Sequence, residues 1–247
     1  MEFFDSGIYK IFIDLVIPVL TASAFIFAAI QFYQDKKRKE KLEEIYVSLS
    51  TKYIGVFPGY LPKLIESIES AEKEITILCD FPCYGLFSNH SYYIQYCSAL
   101  QNAKAKSNVK ISMNILNKEL REKMLNEQFE MYDGTDSNKN WKKRYYEPLK
   151  IFKDHYLKDK SMENISFKDL SDALLAINDK TIDTFQSIMS VKEIASNTSI
   201  FYWIIDKKMA IFSIPSFTQA DSEMAFYTED PKLISSFQEI NKGMQEL

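Results

Sequence analysis

The sequence predicts an α/β protein in which a mixed sheet is flanked by helices, with one N-terminal transmembrane helix in front of it. Three observations predict this class. An uninterrupted apolar run stands near the N-terminus, short β-type runs alternate with helical runs in mid-chain, and two apolar strands joined by a charged turn lie near the end. The chain has 247 residues, of which 46% are hydrophobic, so it can bury a substantial core.

Charge and cysteine content narrow the possible function classes. The net charge of −4 provides no general attraction to nucleic acid, so a site for a polyanion has to be a local basic patch. Cys79, Cys83 and Cys97 are an odd and sparse set, which argues against a disulfide framework and for a reducing compartment. Together with His90 they lack the paired Cys-x2-Cys spacing of a zinc site, so no metal site is expected.

Residues 1–10 form a short N-terminal tail, and residues 11–33 are predicted to cross the membrane. This run, IFIDLVIPVLTASAFIFAAIQFY, is long enough to span a hydrocarbon core of about 30 Å. The basic run QDKKRKEK follows. Because cationic residues beside a span stay in the cytoplasm, we expect a single-pass protein of the inner membrane with its N-terminus outside and its C-terminal domain in the cytoplasm. A cleaved signal peptide and a buried helix are alternatives, but the apolar residues beyond Ala22-Ser23-Ala24 favour the anchor.

Four residues of the predicted span share one helix face: Asp14, Pro18, Thr21 and Phe25. An ionisable side chain is costly in a bilayer and usually faces protein or water. In a homo-oligomer these residues would line a pore, with Asp14 as an acidic ring near its outer mouth. The alternative is that Asp14 lies at headgroup depth and Pro18 only kinks the helix.

The rest of the chain divides into a charged helical stalk, residues 34–52, and one cytosolic domain, residues 53–247. Apolar residues at helical spacing after Pro58 predict the first helix of the domain. Two continuous apolar runs, EITILCD (Glu74–Asp80) and VKISMNIL (Val109–Leu116), predict buried strands, each followed by a helix. This strand–helix–strand–helix order favours a partly parallel sheet.

The second half of the domain is predicted to contain two helical segments, a hairpin, a strand and a last helix. The helical segments cover residues 141–160, WKKRYYEPLKIFKDHYLKDK, and about 167–189. The hairpin SIFYWIIDKKMAIFSIPSF covers Ser199–Phe217, because two apolar runs flank a short charged turn. A strand near Glu223–Tyr227 and a helix from Pro231 complete the order.

This order of elements resembles a single phospholipase D-like domain, over roughly Tyr53 to Leu247. In that family the motif His-x-Lys-x4-Asp precedes a Gly-Ser-x-Asn segment. If Asp206 takes the aspartate position, Ser199 stands at the histidine position and Phe201 at the lysine position. The following segment, Phe212-Ser213-Ile214-Pro215, keeps only the serine, while the ending AFYTEDPKLISSFQEI resembles the last strand and helix of the family.

The resemblance implies the fold of this family without its catalysis. The family's histidine attacks phosphorus, and its lysine neutralises charge on the phosphoryl oxygens. A serine without a neighbouring base is a poor nucleophile, and a phenylalanine carries no positive charge. We therefore assign no catalytic residue and expect no cofactor. The hairpin also has a purely structural interpretation, as a central strand buried on both faces with Asp206-Lys207-Lys208 as its solvated turn.

The resemblance also implies a cleft at the carboxyl ends of the strands, where phosphates bind in the family. The candidate ligand-binding residues there are Tyr84, His90 and Asn114. The alternative is that Tyr84 and Phe87 simply pack their loop onto the core.

A second candidate ligand site is the segment KNWKKRYYEPLKIFKDHYLKDK, which concentrates positive charge in an acidic chain. Cations satisfy phosphates while aromatic rings stack on bases, a combination typical of proteins that bind single strands. The alternative is an amphipathic helix with a solvated basic face. The candidate residues of this segment are Trp141, Lys142, Lys143, Arg144, Tyr145 and Lys150.

These features predict a membrane-anchored effector, in which the domain binds a nucleotide or short single-stranded oligonucleotide and controls an oligomeric transmembrane pore. The architecture resembles transmembrane effectors of bacterial anti-phage defence, of the Hailong type. That resemblance implies the lipid bilayer, further copies of the chain and a nucleotidyltransferase that supplies the ligand as partners. The alternatives are an anchored protein-binding scaffold without ligand or pore, and a tethered phosphodiesterase or nuclease. Subunit number, and whether ligand opens or closes the pore, stay open.

Overall fold

The computed structural model of the chain describes residues 31, 33, 36, 37, 50–106, 108–133, 142, 146–195, 200–214 and 223–244. The chain divides into two units, Met1–Leu49 and Ser50–Leu247, and the fold described below belongs to the second. The proposed pore residues Asp14, Pro18, Thr21 and Phe25, and most of the predicted span and stalk, lie outside the described residues. In the part of the chain that the structure describes, no helix is long and apolar enough to cross a bilayer.

Seven strands form one mixed sheet: β1 (Thr51–Val56), β2 (Glu74–Cys79), β3 (Lys110–Leu116), β4 (Ser190–Ile194), β5 (Phe201–Ile205), β6 (Met209–Ile214) and β7 (Met224–Thr228). Their order in the sheet is β1-β7-β6-β5-β2-β3-β4. The neighbours β2, β3 and β4 are parallel, whereas the other neighbouring pairs are antiparallel. β5 therefore lies at the centre of the sheet, where its five residues are all buried.

The helices follow the strands along the chain, and the first turns of three of them are capped by side chains. Asn89 and Asp230 each accept a hydrogen bond from a backbone N–H group of the helix that follows. Ser166 and Asp169 exchange hydrogen bonds with each other's backbone N–H groups in a capping box. The helices are α1 (Leu61–Glu69), α2 (His90–Ala105), α3 (Lys118–Asp133), α4 (Tyr146–Tyr156), α5 (Phe167–Gln186) and α6 (Pro231–Gly243), with a 3-10 turn at Met162–Asn164.

The sheet is covered by helices on both faces, because the side chains of the central strand alternate between two cores. Phe201, Trp203 and Ile205 pack on one face with apolar residues of α1, α2 and α5. Tyr202 and Ile204 pack on the other face with residues of α6 and α3. This alternation confirms the structural interpretation of the hairpin, a central strand buried on both sides.

A smaller apolar cluster fixes the loop after β2. Cys83 and Leu86 of this loop pack with Leu149 and Phe152 of α4 and with Leu170 of α5. α4 therefore packs on this loop and on α5. The three share one apolar contact surface.

The predicted class, a mixed α/β sheet flanked by helices, is confirmed, and the predicted strands at β2, β3, β5, β6 and β7 are present within three residues of their expected ends. Two strands were not predicted. β1 reads TKYIGV and β4 reads SVKEI, and both have mixed polar and apolar residues with partial exposure. Both stand at the edges of the described sheet, where polar residues are favoured and the apolar pattern is weak.

Candidate functional site

Five side chains meet at one edge of the sheet. β2 and β6 run in the same direction because each is antiparallel to β5, so their carboxyl ends lie at the same edge. Asp80 directly follows β2 and Ser213 lies near the end of β6, while Glu223 immediately precedes the antiparallel β7. Tyr60 and Tyr84 reach the two carboxyls from the neighbouring loops. We name these five residues the carboxyl-edge cluster.

The tyrosines donate hydrogen bonds to the carboxyls of the cluster. Tyr60 Oη donates to Glu223 Oε1 at 2.5 Å, and Tyr84 Oη donates to Asp80 Oδ1 at 3.4 Å. The backbone N–H of Phe81 also donates to Asp80 Oδ1, at 2.7 Å. The ring of Tyr84 is held edge-on against that of Trp203, with 4.7 Å between their centroids. The core of the domain thus positions the donors around both carboxyls.

Both carboxyls favour the protonated form more than they would in water. Burial, followed by the negative charge of Glu223, raises the pKa of Asp80 to about 7. Burial also raises the pKa of Glu223, although the hydroxyls of Ser213, Tyr60 and Tyr84 act in the opposite direction. Each of the two residues keeps part of its surface exposed. Asp80 therefore exchanges a proton with solvent near neutral pH.

Ser213 is the most deeply buried member of the cluster. Its relative exposure is 0%, and its hydroxyl lies beside Glu223 and Tyr60. Ser213 Oγ is close enough to influence both groups but makes no hydrogen bond of ordinary length and angle to any described group. Such a hydroxyl costs about 1–3 kcal/mol when it is left unsatisfied.

The residues aligned with the phospholipase D motif do not form a catalytic group among the described residues. Phe201, at the lysine position, is 2% exposed and packs in the core. Ser199, at the histidine position, lies outside the described residues. Asp206 lies at the opposite end of β5 from Phe201, in the tight turn to β6.

Asp206 holds a backbone turn instead of a ligand. Its carboxylate accepts hydrogen bonds from the backbone N–H groups of Glu72, Lys73 and Glu74, at 3.0, 2.7 and 2.9 Å. Burial alone would raise the pKa of Asp206, but these three N–H groups outweigh burial and lower it. Its φ of 54° lies in the left-handed region that Asp tolerates better than most residues.

The three ligand candidates at the strand ends occupy separate places. Tyr84 is buried, which matches the alternative that it packs its loop, and only its hydroxyl reaches the carboxyl-edge cluster. Asn114 is buried on β3, where its amide donates to Asn241 Oδ1 of α6 at 2.6 Å. His90 begins α2 and lies beside α4. The structure therefore brings one of the three into the cluster.

His90 makes a contact that the sequence did not reveal. It stacks on His155 of α4 with 4.2 Å between ring centroids, and these are the two histidines of the chain. His90 Nδ1 is buried and has no hydrogen-bond partner among the described groups. Burial, and then the neighbouring His155, lower the pKa of His90. His90 therefore stays neutral more readily than a free imidazole does.

The basic-aromatic segment is described only in part. Trp141, Lys143, Arg144 and Tyr145 lie outside the described residues. Lys142 Nζ donates to the carbonyls of Met162 and Glu163, at 3.3 and 2.8 Å. Lys150 and Tyr146 are exposed on α4, but Glu147 and Asp154 are exposed there too. The described part of the segment therefore carries mixed charge.

The cysteines are thiols with raised pKa values. Cys83 Sγ donates to Asn178 Oδ1, and burial raises the pKa of Cys79 and of Cys83 well above that of a free thiol. Burial raises the pKa of Cys97 to about 12. All three therefore stay protonated and unreactive at neutral pH. No group of three or more metal-binding side chains occurs within the described ranges.

Comparison with known proteins yields structural likeness only. No protein-family model matches the chain, and no curated protein matches it. TrmBL2, an archaeal chromatin protein that shows a novel mode of DNA binding, is similar at 13% identity with a TM-score of 0.44, over 94% of this chain and 68% of its own. NucT from Helicobacter pylori is similar at 13% identity with a TM-score of 0.40, over 79% of this chain and 95% of its own. Both scores are below 0.5, so neither likeness carries a functional argument.

Sequence reasoning found only Tyr84 of the carboxyl-edge cluster as a candidate ligand residue. Asp80 did leave a signal, because a carboxylate ends an otherwise apolar strand. Ser213 was noted only as the retained serine of the motif. Tyr60 and Glu223 have no recognisable signal in the sequence, since their roles depend on β7 pairing between β1 and β6.

Proposed function

We propose that this chain is a membrane-anchored effector whose phospholipase D-like domain binds a nucleotide or short single-stranded oligonucleotide without hydrolysing it. Binding controls an oligomeric pore formed by the N-terminal spans, in the inner membrane and in anti-phage defence. The ligand comes from a partner nucleotidyltransferase. The predicted span, its basic flank and the stalk support the anchor and the pore, and the retained sheet supports a binding domain.

The observation that carries the non-hydrolytic assignment is the place of Phe201. The phospholipase D-like resemblance puts a lysine at this position, where it would neutralise the phosphoryl oxygens. Phe201 pairs with Ser213 on the neighbouring strand, so its position lies directly beside the carboxyl-edge cluster. An aromatic ring stands where the cation is required, and Phe201, at 2% exposure, fills that place.

The phosphates of the ligand are assigned to the basic-aromatic segment, because the carboxyl-edge cluster offers them carboxylates. Lys150 and Tyr146 are exposed on α4, with Tyr146 49% exposed. An exposed aromatic ring beside a lysine suits a base and its phosphate. Trp141, Lys143 and Arg144 precede them in the sequence.

The experiment is oligonucleotide binding by the full chain in mild detergent, measured by fluorescence anisotropy. The variant Lys143→Ala/Arg144→Ala/Lys150→Ala removes three cations without touching Lys142, which bonds to backbone carbonyls. We expect this variant to lose most of its affinity and the wild-type affinity to fall with added salt. The matched control is Lys110→Ala, an exposed lysine at the amino end of β3. Equal affinity in the triple variant and the control would remove the segment from the proposal.

The pore is tested separately in liposomes loaded with an ion-sensitive dye. Wild-type protein should change its flux when oligonucleotide is added, and Asp14→Asn should change the conductance without changing oligonucleotide affinity. Binding without any flux would leave a sensor domain on an anchor. Hydrolysis of the labelled oligonucleotide, followed on a gel, would instead favour the tethered phosphodiesterase or nuclease.

A protein-binding scaffold is the second candidate, favoured by one feature of the sheet. Val56, Met224 and Ile214 stand side by side on β1, β7 and β6, and each is 36–42% exposed. Adjacent exposed apolar residues are typical of protein contacts. Wild-type protein that neither binds oligonucleotides nor conducts ions would make this function the better one.

A further inference from the structure

The carboxyl-edge cluster offers hydrogen-bond acceptors that are still available. The hydrogen bonds that Tyr60, Tyr84 and the Phe81 N–H donate to the carboxyls go to one oxygen of each, Glu223 Oε1 or Asp80 Oδ1. The other two carboxyl oxygens accept none from those groups. Because both residues are partly exposed, a ligand can approach these oxygens from solvent.

The cluster has no compensating cation among the described residues. The neighbours that influence the pKa values of its carboxyls are Glu223 itself, hydroxyls and backbone N–H groups. A phosphate would meet only repulsion from two carboxyls at this edge. The complementary ligand is therefore a group that donates hydrogen bonds, either neutral or cationic.

Ser213 points to a ligand independently of the carboxyls. Its side chain is fully buried beside Glu223, and its hydroxyl has no hydrogen-bond partner among the described groups. Buried hydroxyls normally have a partner. A polar group bound between the two carboxyls would provide Ser213 Oγ with one.

The position of α4 connects this edge to the proposed oligonucleotide surface. Leu149 and Phe152 of α4 pack on Cys83 and Leu86, which flank Tyr84 in the loop after β2. α4 and the carboxyl-edge cluster therefore border the same loop. A strand whose phosphates lie along α4 can direct a base toward the cluster.

We propose that the carboxyl-edge cluster binds the amino edge of a nucleobase, with Asp80 and Glu223 accepting from the exocyclic amino group and Ser213 completing the contact. This assignment rests on the proposed function and adds base selectivity to it. Carboxylates accept hydrogen bonds from the amino group of cytosine, and adenine also has an exocyclic amino group. Thymine has a carbonyl oxygen in that place, which the carboxyls repel. The site therefore selects amino-bearing bases over thymine.

The test compares labelled oligo-dA, oligo-dC and oligo-dT, each of about 10 nucleotides, on the full chain at pH 8. Wild-type protein should bind oligo-dA and oligo-dC about tenfold more tightly than oligo-dT. The variant Asp80→Asn/Glu223→Gln keeps the shapes of both side chains but also donates to a carbonyl, so it should lose the preference and bind oligo-dT more tightly than the wild type does. The control Glu69→Gln changes an exposed carboxylate at the far end of α1 from Tyr60 and should keep the preference.

A second measurement uses deoxyadenosine, deoxycytidine and thymidine, which carry no phosphate and so do not require the basic segment. Saturation-transfer NMR should show the first two bound and thymidine not, with the difference lost in the double variant and weakened in Ser213→Ala. Ser213→Ala also covers the case in which the double variant fails to fold.

The outcomes separate the two proposals. Oligonucleotide binding without base preference, or a preference that survives in the double variant, overturns the base site and leaves the proposed function standing. Nucleoside selectivity without oligonucleotide binding supports the base site and overturns the oligonucleotide ligand. Failure of all oligonucleotides and all nucleosides to bind overturns both.

Discussion

Replacing Asp80 by asparagine should make the domain less sensitive to pH, and the structure gives the size of the effect. Asp80 has a pKa of about 7 in the folded protein, against an ordinary value of 3.8. Between these values the folded state keeps a proton that the unfolded state has lost. The free energy of unfolding therefore falls as pH rises through this window, and the loss is complete above about pH 7. The amide of the Asp80→Asn variant does not ionise, so the variant lacks this dependence.

The magnitude follows from the width of the window. Each pKa unit corresponds to about 1.4 kcal/mol, so the roughly two units between pH 5 and pH 7 allow at most about 2.7 kcal/mol. Asp80 keeps part of its surface exposed, and solvent screening reduces this figure to about 1–2 kcal/mol. Relative to the wild type, Asp80→Asn should thus gain about 1–2 kcal/mol of stability between about pH 5 and pH 8.

The assay is urea unfolding of the full chain in mild detergent at pH 5, 6, 7 and 8, followed by tryptophan fluorescence. The buried Trp203 reports on the core directly beneath the cluster. Asp159→Asn, which changes an exposed aspartate, is the matched control and should follow the wild type at every pH. A stability difference between Asp80→Asn and the wild type that is the same at pH 5 and pH 8, or that changes in the opposite direction, would show that ionisation of Asp80 does not cause this pH dependence.

Three further predictions concern other groups, each checked by unfolding of the full chain. Arg121 is fully buried, and its Nη2 lies 3.3 Å from Asp179 Oδ1. Arg121→Ala should lower the free energy of unfolding by about 3 kcal/mol, and Arg121→Met should lower it less because methionine keeps a long packed side chain. Equal losses in the two variants would contradict this role of packing. Asp206→Ala should cost about 2 kcal/mol because three backbone N–H groups lose their acceptor, with Asp206→Asn intermediate; an unchanged midpoint would contradict the bonded turn. Because the pKa of His90 is lowered, its contribution to the free energy of unfolding falls as pH drops below about 6.5 and opposes that of Asp80, so His90→Gln should gain more stability than the wild type between pH 7.5 and pH 5.5. Thermal unfolding at pH 5.5 and 7.5 decides the last, and parallel shifts in both proteins would refute it.

The central strands could be predicted from sequence because their burial is visible as continuous apolar runs. EITILC, KISMNIL and FYWII are rich in apolar residues, as strands covered by helices on both faces require. The edge strands β1 and β4 could not, because an edge strand has fewer neighbours and needs no such run. The helix predicted over residues 141–160 is too long at its C-terminal end, since α4 stops at Tyr156.

The candidate site was less accessible to sequence reasoning, because its members come together only through strand order. Asp80 and Glu223 are 143 positions apart and meet because β2 and β6 both pair with β5 while β7 pairs with β6. The phospholipase D-like motif, by contrast, points to Asp206, which lies in the β5–β6 turn at the opposite end of the hairpin from Ser213. Spacing along the chain identifies partners within one helix or strand, whereas Asp80, Ser213 and Glu223 lie at the ends of three different strands, β2, β6 and β7.

The phenylalanine at position 201 and the raised pKa values of the cluster are physically related. Phe201 is flanked by Ser213 on β6, beside Glu223, and a cation at this position would stabilise the ionised carboxyls. The aromatic ring of Phe201 belongs to the core instead and offers the carboxyls no charge. This edge of the sheet is therefore acceptor-rich, with Asp80 held weakly acidic by burial and by the charge of Glu223. That is why we place the phosphates and the base of the proposed ligand on different sides of the loop that carries Tyr84.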